Sequence, residues 1–245
     1  MPFFSAGHRR ATVAAMATLI VLAGGCSGGG GSKTTTTTAG PPASTTVPPP
    51  GQTQLGMIVV QPSDLPTGWA AQAPSVPYNR VGVPMAFSQC VGTAVTAPHV
   101  AGTAYSHTFV MGADVITSNA VSFTTLNDVP ADTQALASPK ASGCLQQVEK
   151  NLFTALLPAG STVRTYQVKV TPGNNGVAAN VVAVADSTIT YSVTGHSLTL
   201  TIEVVYFAAP RIEAQVSFSS AGTAIPVATK AAVLNKVSAR VQFGS

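Results

Sequence analysis

"SLTLTIEVVYF" (residues 197–207) and "RIEAQVSFS" (residues 211–219) are the stretches on which the fold of this 245-residue chain turns. In the first, Leu198, Leu200, Ile202 and Val204 alternate with Ser197, Thr199, Thr201 and Glu203. In the second, Ile212, Ala214, Val216 and Phe218 alternate with Arg211, Glu213, Gln215 and Ser217. A period of two is that of a β-strand, whose successive side chains point to opposite sides. A three-residue connection, Ala208-Ala209-Pro210, brings both apolar rows onto one face of an antiparallel hairpin. Glu203 and Glu213 then belong to its solvated face.

Further strands lie upstream: "VRTYQVKV" alternates less cleanly, "GVAANVVAVAD" is apolar on both sides, and "SHTFVMG" and "SNAVSFTTL" read as another pair. A helix is predicted in "SPKASGCLQQVEKNLFTALLP", with Ser138 as N-cap and Pro139 at the first position. There Ala141, Cys144, Leu145, Val148, Leu152, Ala155 and Leu156 recur at helical spacing, opposite Gln146, Gln147, Lys150, Asn151 and Thr154. A second helix, "IPVATKAAVLNKVSARV", puts Val227, Ala231, Leu234 and Val241 on one stripe and Lys236 and Arg240 opposite. The expected fold is therefore α+β: a mainly antiparallel sheet with one wet face, the other covered by the long central helix and the C-terminal helix.

The remainder of the chain divides by composition. Residues 1–25 carry His8-Arg9-Arg10 and then an uncharged, apolar or small run, shorter than the roughly 20 residues of a membrane span and so read as a removable export signal. Residues 26–52 form a tether, first glycine and serine, then threonine and proline, which cannot bury a core and favours flexible coil followed by polyproline II. Thr34, Thr35, Thr36, Thr37 and Thr38 have the composition of an O-glycosylated stalk, with a bare linker as the alternative. Residues 53–245 make a single exported domain. Arg9, Arg10 and Lys33 precede it, which leaves nine basic side chains against eight acidic ones in the domain. A balance so close to neutral argues against nucleic acid as a partner.

Cys90 and Cys144 are the domain's two cysteines, and export permits a disulfide between them, with two buried thiols as the alternative. Leu22-Ala23-Gly24-Gly25-Cys26 resembles the bacterial lipobox, with Ala23 where the commonest pattern has leucine. That resemblance implies a diacylglycerol on the Cys26 thiol, cleavage before it, acylation of the new N-terminus, and hence a domain anchored outside a cell membrane. A plain secretory signal with an incidental cysteine is the alternative. Two or more chains are what a stable lipid anchor needs. With the Thr/Pro linker, "PSDLPTGW" (residues 62–69) and the strand-turn-strand-helix ending, the chain is similar to exported lipoproteins and sensor-like domains of mycobacteria and their relatives. The resemblance carries over no site residues.

No catalytic motif emerges: there is no Gly-x-Ser-x-Gly, no His-Glu-x-x-His and no paired-cysteine metal spacing. No cofactor or metal is expected. His99, His107 and His196 fall in a Pro-His loop, a strand start and a turn, and read as surface or hydrogen-bonding residues. Trp69 either plugs a turn in which Asp64 bonds nearby backbone N–H groups, or walls a ligand pocket between the sheet and the Cys144 helix. The expected function is a non-enzymatic, membrane-anchored envelope lipoprotein that binds or senses an apolar or glycan ligand or a protein partner. Alternatives are an interaction module of a larger membrane assembly and an unrecognised hydrolase.

Overall fold

The structure, a computed structural model, describes residues 49–74, 85–93, 99–174 and 176–243. The signal, Cys26 and Thr34 to Thr38 lie outside the described residues. In chain order the elements are α1 (Gln52–Ile58), a 3-10 turn (Pro62–Asp64), β1 (Ala70–Gln72), α2 (Met85–Val91), β2 (Val100–Tyr105), β3 (Thr108–Met111), β4 (Asp114–Phe123), α3 (Asp128–Leu136), α4 (Ala141–Leu156), β5 (Thr162–Pro172), β6 (Val181–Val193), β7 (His196–Ala209), β8 (Ile212–Ser220) and α5 (Val227–Phe243). The α1 helix starts one residue before the boundary expected at Thr53.

The class is α+β, with one eight-stranded antiparallel sheet ordered β1-β3-β4-β8-β7-β6-β5. β2 pairs with the second half of β4 and β3 with the first half, so the two continue one another past a break at Ser106-His107. Hydroxyls bridge that break: Ser118 N donates to Ser106 Oγ (2.8 Å), and Val60 N donates to Ser118 Oγ (2.7 Å). β5 to β8 form a meander that returns to the centre of the sheet. Its β6–β7 turn, Thr194-Gly195, has positive φ at both residues (48° and 82°), as a tight two-residue hairpin loop requires.

The β7–β8 turn overturns the expected hairpin register. Ala209 pairs with Ile212, so the loop is the two residues Pro210-Arg211, one shorter than the connection expected from the sequence. Ile202 consequently faces Ser219, Val204 faces Ser217 and Tyr206 faces Gln215. A shift of one residue sends a strand's side chains to the other side of the sheet. The apolar row of β7 therefore points one way and the apolar row of β8 the other, and each face needs its own cover.

Helices supply that cover from both sides, which corrects the expectation that the central and C-terminal helices share a face. Leu200, Ile202 and Tyr206 of β7 pack with Phe87 of α2 and Leu145 and Phe153 of α4. Val129 of α3 extends this layer over Val121 and Phe123 of β4. Val205, Phe207, Val216 and Phe218 pack on the opposite face with Leu55 and Ile58 of α1 and Leu234 and Val237 of α5. Gly102 lets α1 come close, since a Cβ there would stand 3.2 Å from Leu55 Cδ1. The buried stripe of α5 is Val233, Leu234, Val237 and Val241, whereas Val227 and Ala231 face solvent. The wet surface expected for one whole face is confined to the outer part of the α5 side, where Thr165, Gln167, Thr188, Thr199 and Thr201 are exposed.

The α4 helix begins at Ala141, two residues after the expected start, following a turn in which Ala141 N donates to Ser138 O (2.9 Å). Its buried face includes Ala141, Cys144, Leu145, Glu149 and Phe153, and Ala155 is exposed. The helix runs beside the outer edge of β5. There Val168 N donates to Gln146 Oε1 (3.3 Å) and Val170 N donates to Ser142 Oγ (2.9 Å). Gln146, expected in solvent, thus occupies a sheet edge. Pro172, with no N–H, closes the same strand.

Candidate functional site

The residues singled out by sequence do not converge. Cys90 and Cys144 are joined in a disulfide that ties α2 to α4, with Cα atoms 5.6 Å apart. Closing a loop of this length, 54 residues of sequence separation, stabilises a fold by about 4 kcal/mol in the chain-entropy account. Trp69 is half-buried against the core of the α5 face, the side of the sheet away from Cys144, so it does not wall a pocket with that helix. Its Nε1 is buried with no acceptor among the described residues.

Asp64 does bond the turn, accepting from Gln61 N (2.8 Å). Beyond that, both its carboxylate oxygens accept from Arg240 of α5, one at 2.8 Å from Nη1, and Lys236 Nζ stands 3.7 Å away. Arg240 also donates to Val59 O (3.0 Å). Asp64 therefore latches the start of the domain to its last helix.

Each histidine has a local setting. His107 Nδ1 donates to the Gln72 carbonyl (3.0 Å) at the β1–β3 contact. His196 is exposed at the start of β7. His99 Nδ1 lies 3.4 Å from Asp128 Oδ1, and the Thr125 hydroxyl donates to the other oxygen of Asp128. In that trio the hydroxyl addresses the carboxylate rather than the imidazole, which is not the order of a nucleophile and its base.

Chemistry concentrates instead on the sheet beneath α3 and α4. The shortened β7–β8 turn places Glu213, Gln215 and Ser217, expected in solvent, together with Ser219 on the inner face beside the apolar row of β7. Glu213, Ser217 and Ser219 are buried there. On the neighbouring strand Asn119 pairs with Gln215, and Val121 with Glu213, so Asn119 and Glu213 are diagonal neighbours on one face. Asn119 is 3% exposed, and its Oδ1 has no hydrogen-bond partner among the described residues. A buried amide oxygen left unpaired costs about 1–3 kcal/mol, so natural structures keep few of them.

Glu213 lies among further acids. Burial first, then the charge and hydrogen bond of Asp132 on α3, then the charge of Asp128, hold its carboxyl well above the ordinary range. Asp132, the acid that acts most on Glu213, thus favours the protonated form of its neighbour. Tyr206, paired with Gln215, lies between this pair and a second buried acid: its hydroxyl is pushed up by burial, then by Glu149 and Glu213.

Glu149 on α4 is 2% exposed and accepts from Ser187 Oγ (2.9 Å) and Tyr166 OH (3.1 Å). Burial pushes its carboxyl up to about 7, against the pull of those two hydroxyls. Burial, with Glu149 beside it, likewise raises the Tyr166 hydroxyl. The signal for Glu149 was present in the sequence, because positions 141, 145, 149 and 153 follow one another at helical spacing. Nothing in "SNAVSF" marks Asn119.

Among the described residues no group of three or more His, Cys, Asp or Glu side chains is placed to hold a metal ion, and no helix is long and apolar enough to cross a membrane. The polar floor formed by Asn119, Gln215, Ser217, Ser219 and the Glu213–Asp132 pair is a set of donors and acceptors inside the fold, suited to binding a polar molecule. No family model and no curated protein matches the chain. Among solved structures it is similar to the extracellular domain of PknH from Mycobacterium tuberculosis, at 10% identity and a TM-score of 0.39, over 80% of this chain and 98% of that one.

Proposed function

We propose that this protein is an exported, non-enzymatic lipoprotein, held outside a cell membrane by acyl chains on Cys26, whose domain binds a hydroxyl-rich, glycan-type ligand over the floor of β4 and β8. The lipobox-like stretch ending at Cys26 supports the anchor, and the Cys90–Cys144 bridge suits an oxidising compartment. One observation carries the ligand: Asn119 Oδ1 is buried and unpartnered in a setting of further polar side chains. A glycan is favoured over an apolar ligand because Asn119, Glu213, Ser217 and Ser219 bring amide, carboxyl and hydroxyl groups in among the buried Val115 and Val121 of that floor.

The test is mass spectrometry of the full-length protein extracted in detergent from an exporting bacterial host. A mature chain that begins with acylated Cys26 and retains a polar ligand of low mass, lost in Asn119→Ala, is the expected result. Cys26→Ala remaining in the membrane fraction would remove the anchor from the reading. A ligand-free wild type that is cross-linked in cells to a constant protein partner would favour the interaction module instead.

A further inference from the structure

Cys90 and Cys144 are not equally placed. Cys90, in the last turn of α2, is exposed, whereas Cys144, in the first turn of α4, is 4% exposed. A disulfide is opened by a thiolate that attacks one sulfur and expels the other, and access decides which. Cys90 is the side open to such a thiolate, so the sulfur expelled is that of Cys144. The first turn of a helix carries the positive end of its dipole, which favours a thiolate there. Exposed bridges are also more labile than structural ones sealed in a core.

The two helices joined by the bridge are held differently. The α4 helix is fixed without it: Gln146 and Ser142 accept from the edge of β5, and Glu149 accepts from Ser187 and Tyr166. The α2 helix has seven residues, packs on α3 and α4, and buries Phe87 and Val91 in the layer they share. Its hydrogen bonds among the described residues close its own last turn, where Gly92 N and Thr93 N donate to Ser88 O (3.1 and 3.0 Å). Helices shorter than about 12 residues are marginal in water, so α2 depends on its two apolar side chains and the bridge.

We propose that Cys90–Cys144 is a site of thiol–disulfide exchange with a dithiol reductant, and that its reduction releases α2 from the α3–α4 layer while the sheet stays folded. One thiolate of the dithiol bonds to Cys90 Sγ, the Cys90–Cys144 bond breaks, and Cys144 leaves as a thiolate that takes up a proton. The second thiol then attacks the mixed disulfide and frees Cys90, so that two electrons pass to the protein and the dithiol becomes a disulfide. Phe87 and Val91 then leave, uncovering apolar surface that includes Leu136 and Leu145. Neither the lipid anchor nor the glycan ligand enters this step.

For the test, the full-length protein in detergent is first treated with iodoacetamide, which caps any thiol free before reduction, Cys26 included. Glutathione, a monothiol, is added under native conditions, followed by N-ethylmaleimide, and the peptides are mapped by mass spectrometry. The expected result is glutathione on Cys90 and maleimide on Cys144. Glutathione on Cys144, or no adduct until denaturant is added, would overturn the exchange site. A parallel sample reduced with dithiothreitol is followed by hydrogen exchange. Amides of residues 86–92 should exchange about tenfold or more faster than in the oxidised protein, as local opening of a marginal helix predicts, with those of β6, β7 and α5 unchanged. Unchanged protection in α2 would overturn the release. Loss of protection throughout β6 and β7 would overturn it too, and make the bridge a staple of the whole domain.

Discussion

On the α5 face the buried charge of Asp64 meets a fixed cation, Arg240, while on the α2–α4 face Glu149 meets two hydroxyls, Glu213 meets another acid and Asn119 Oδ1 meets nothing among the described residues. The two faces share strands and are both covered by helices, so burial alone does not distinguish them. The difference lies in satisfaction. A paired buried charge holds elements together, and removing one partner is costly; an unpaired polar group lowers stability and persists where it serves something else. Trp69 Nε1 is likewise buried and, among the described residues, unpartnered on the α5 side, so the contrast is one of buried carboxyl groups alone: Asp64 is paired with a cation, whereas Glu149 meets hydroxyls and Glu213 another acid.

The largest effect is expected from the turn that separates the faces. One glycine inserted between Pro210 and Arg211 would restore the three-residue connection and turn Ile212, Val216 and Phe218 away from α5. Loss of the cooperative thermal transition and rapid proteolysis are the expected outcome, and a folded variant would show that the strand registers independently of its loop. Next, Asp64→Ala leaves Arg240 without its carboxylate and should destabilise by about 3–5 kcal/mol in denaturant titrations. An effect within error would remove the latch from the argument.

On the other face the sign reverses. Glu149 holds its proton more tightly folded, at about 7, than unfolded, near 4.5, so its contribution is fully present below pH 4.5 and is lost as pH rises through 7. Glu149→Gln should therefore remove a fall in stability of about 3 kcal/mol between those limits and melt above the wild type at pH 8. A wild-type melting temperature that stays level from pH 5 to 8 would contradict this. Smallest is Asn119→Leu, expected to stabilise by about 1–2 kcal/mol by removing an unpaired acceptor from the interior. The same variant should lose the polar ligand. If it is destabilised as a core hydrogen bond would be, the floor is structural.

Much of the architecture was legible in the chain. Alternation in β7 and β8 and the helical spacing around Cys144 depend on local periodicity, which survives folding. By contrast "SNAVSFTTL", read as the partner of "SHTFVMG", pairs through residues 118–123 with β2 and β8, and β3 pairs with Asp114 to Ile116. The layers were not legible, because they depend on a single residue: the apolar rows of β7 and β8 share a face with a three-residue loop and oppose one another with two. Pro210 fits either turn. The candidate site inherits that error, since Glu213, Gln215, Ser217 and Ser219 are inside only in the shorter register. Trp69 drew attention by being the only tryptophan, whereas Asn119 acquires its meaning from partners on β8 nearly a hundred positions away.

The outer margin of β5 has a consequence for life at high density. An open strand margin invites the addition of a strand from another molecule, and proteins confined to a surface meet one another far more often than they do in bulk. With Val168 and Val170 already donating to Gln146 and Ser142, and Pro172 offering no donor, this stretch presents few free hooks for such growth. At this margin, β5 is therefore a poor template for a further strand.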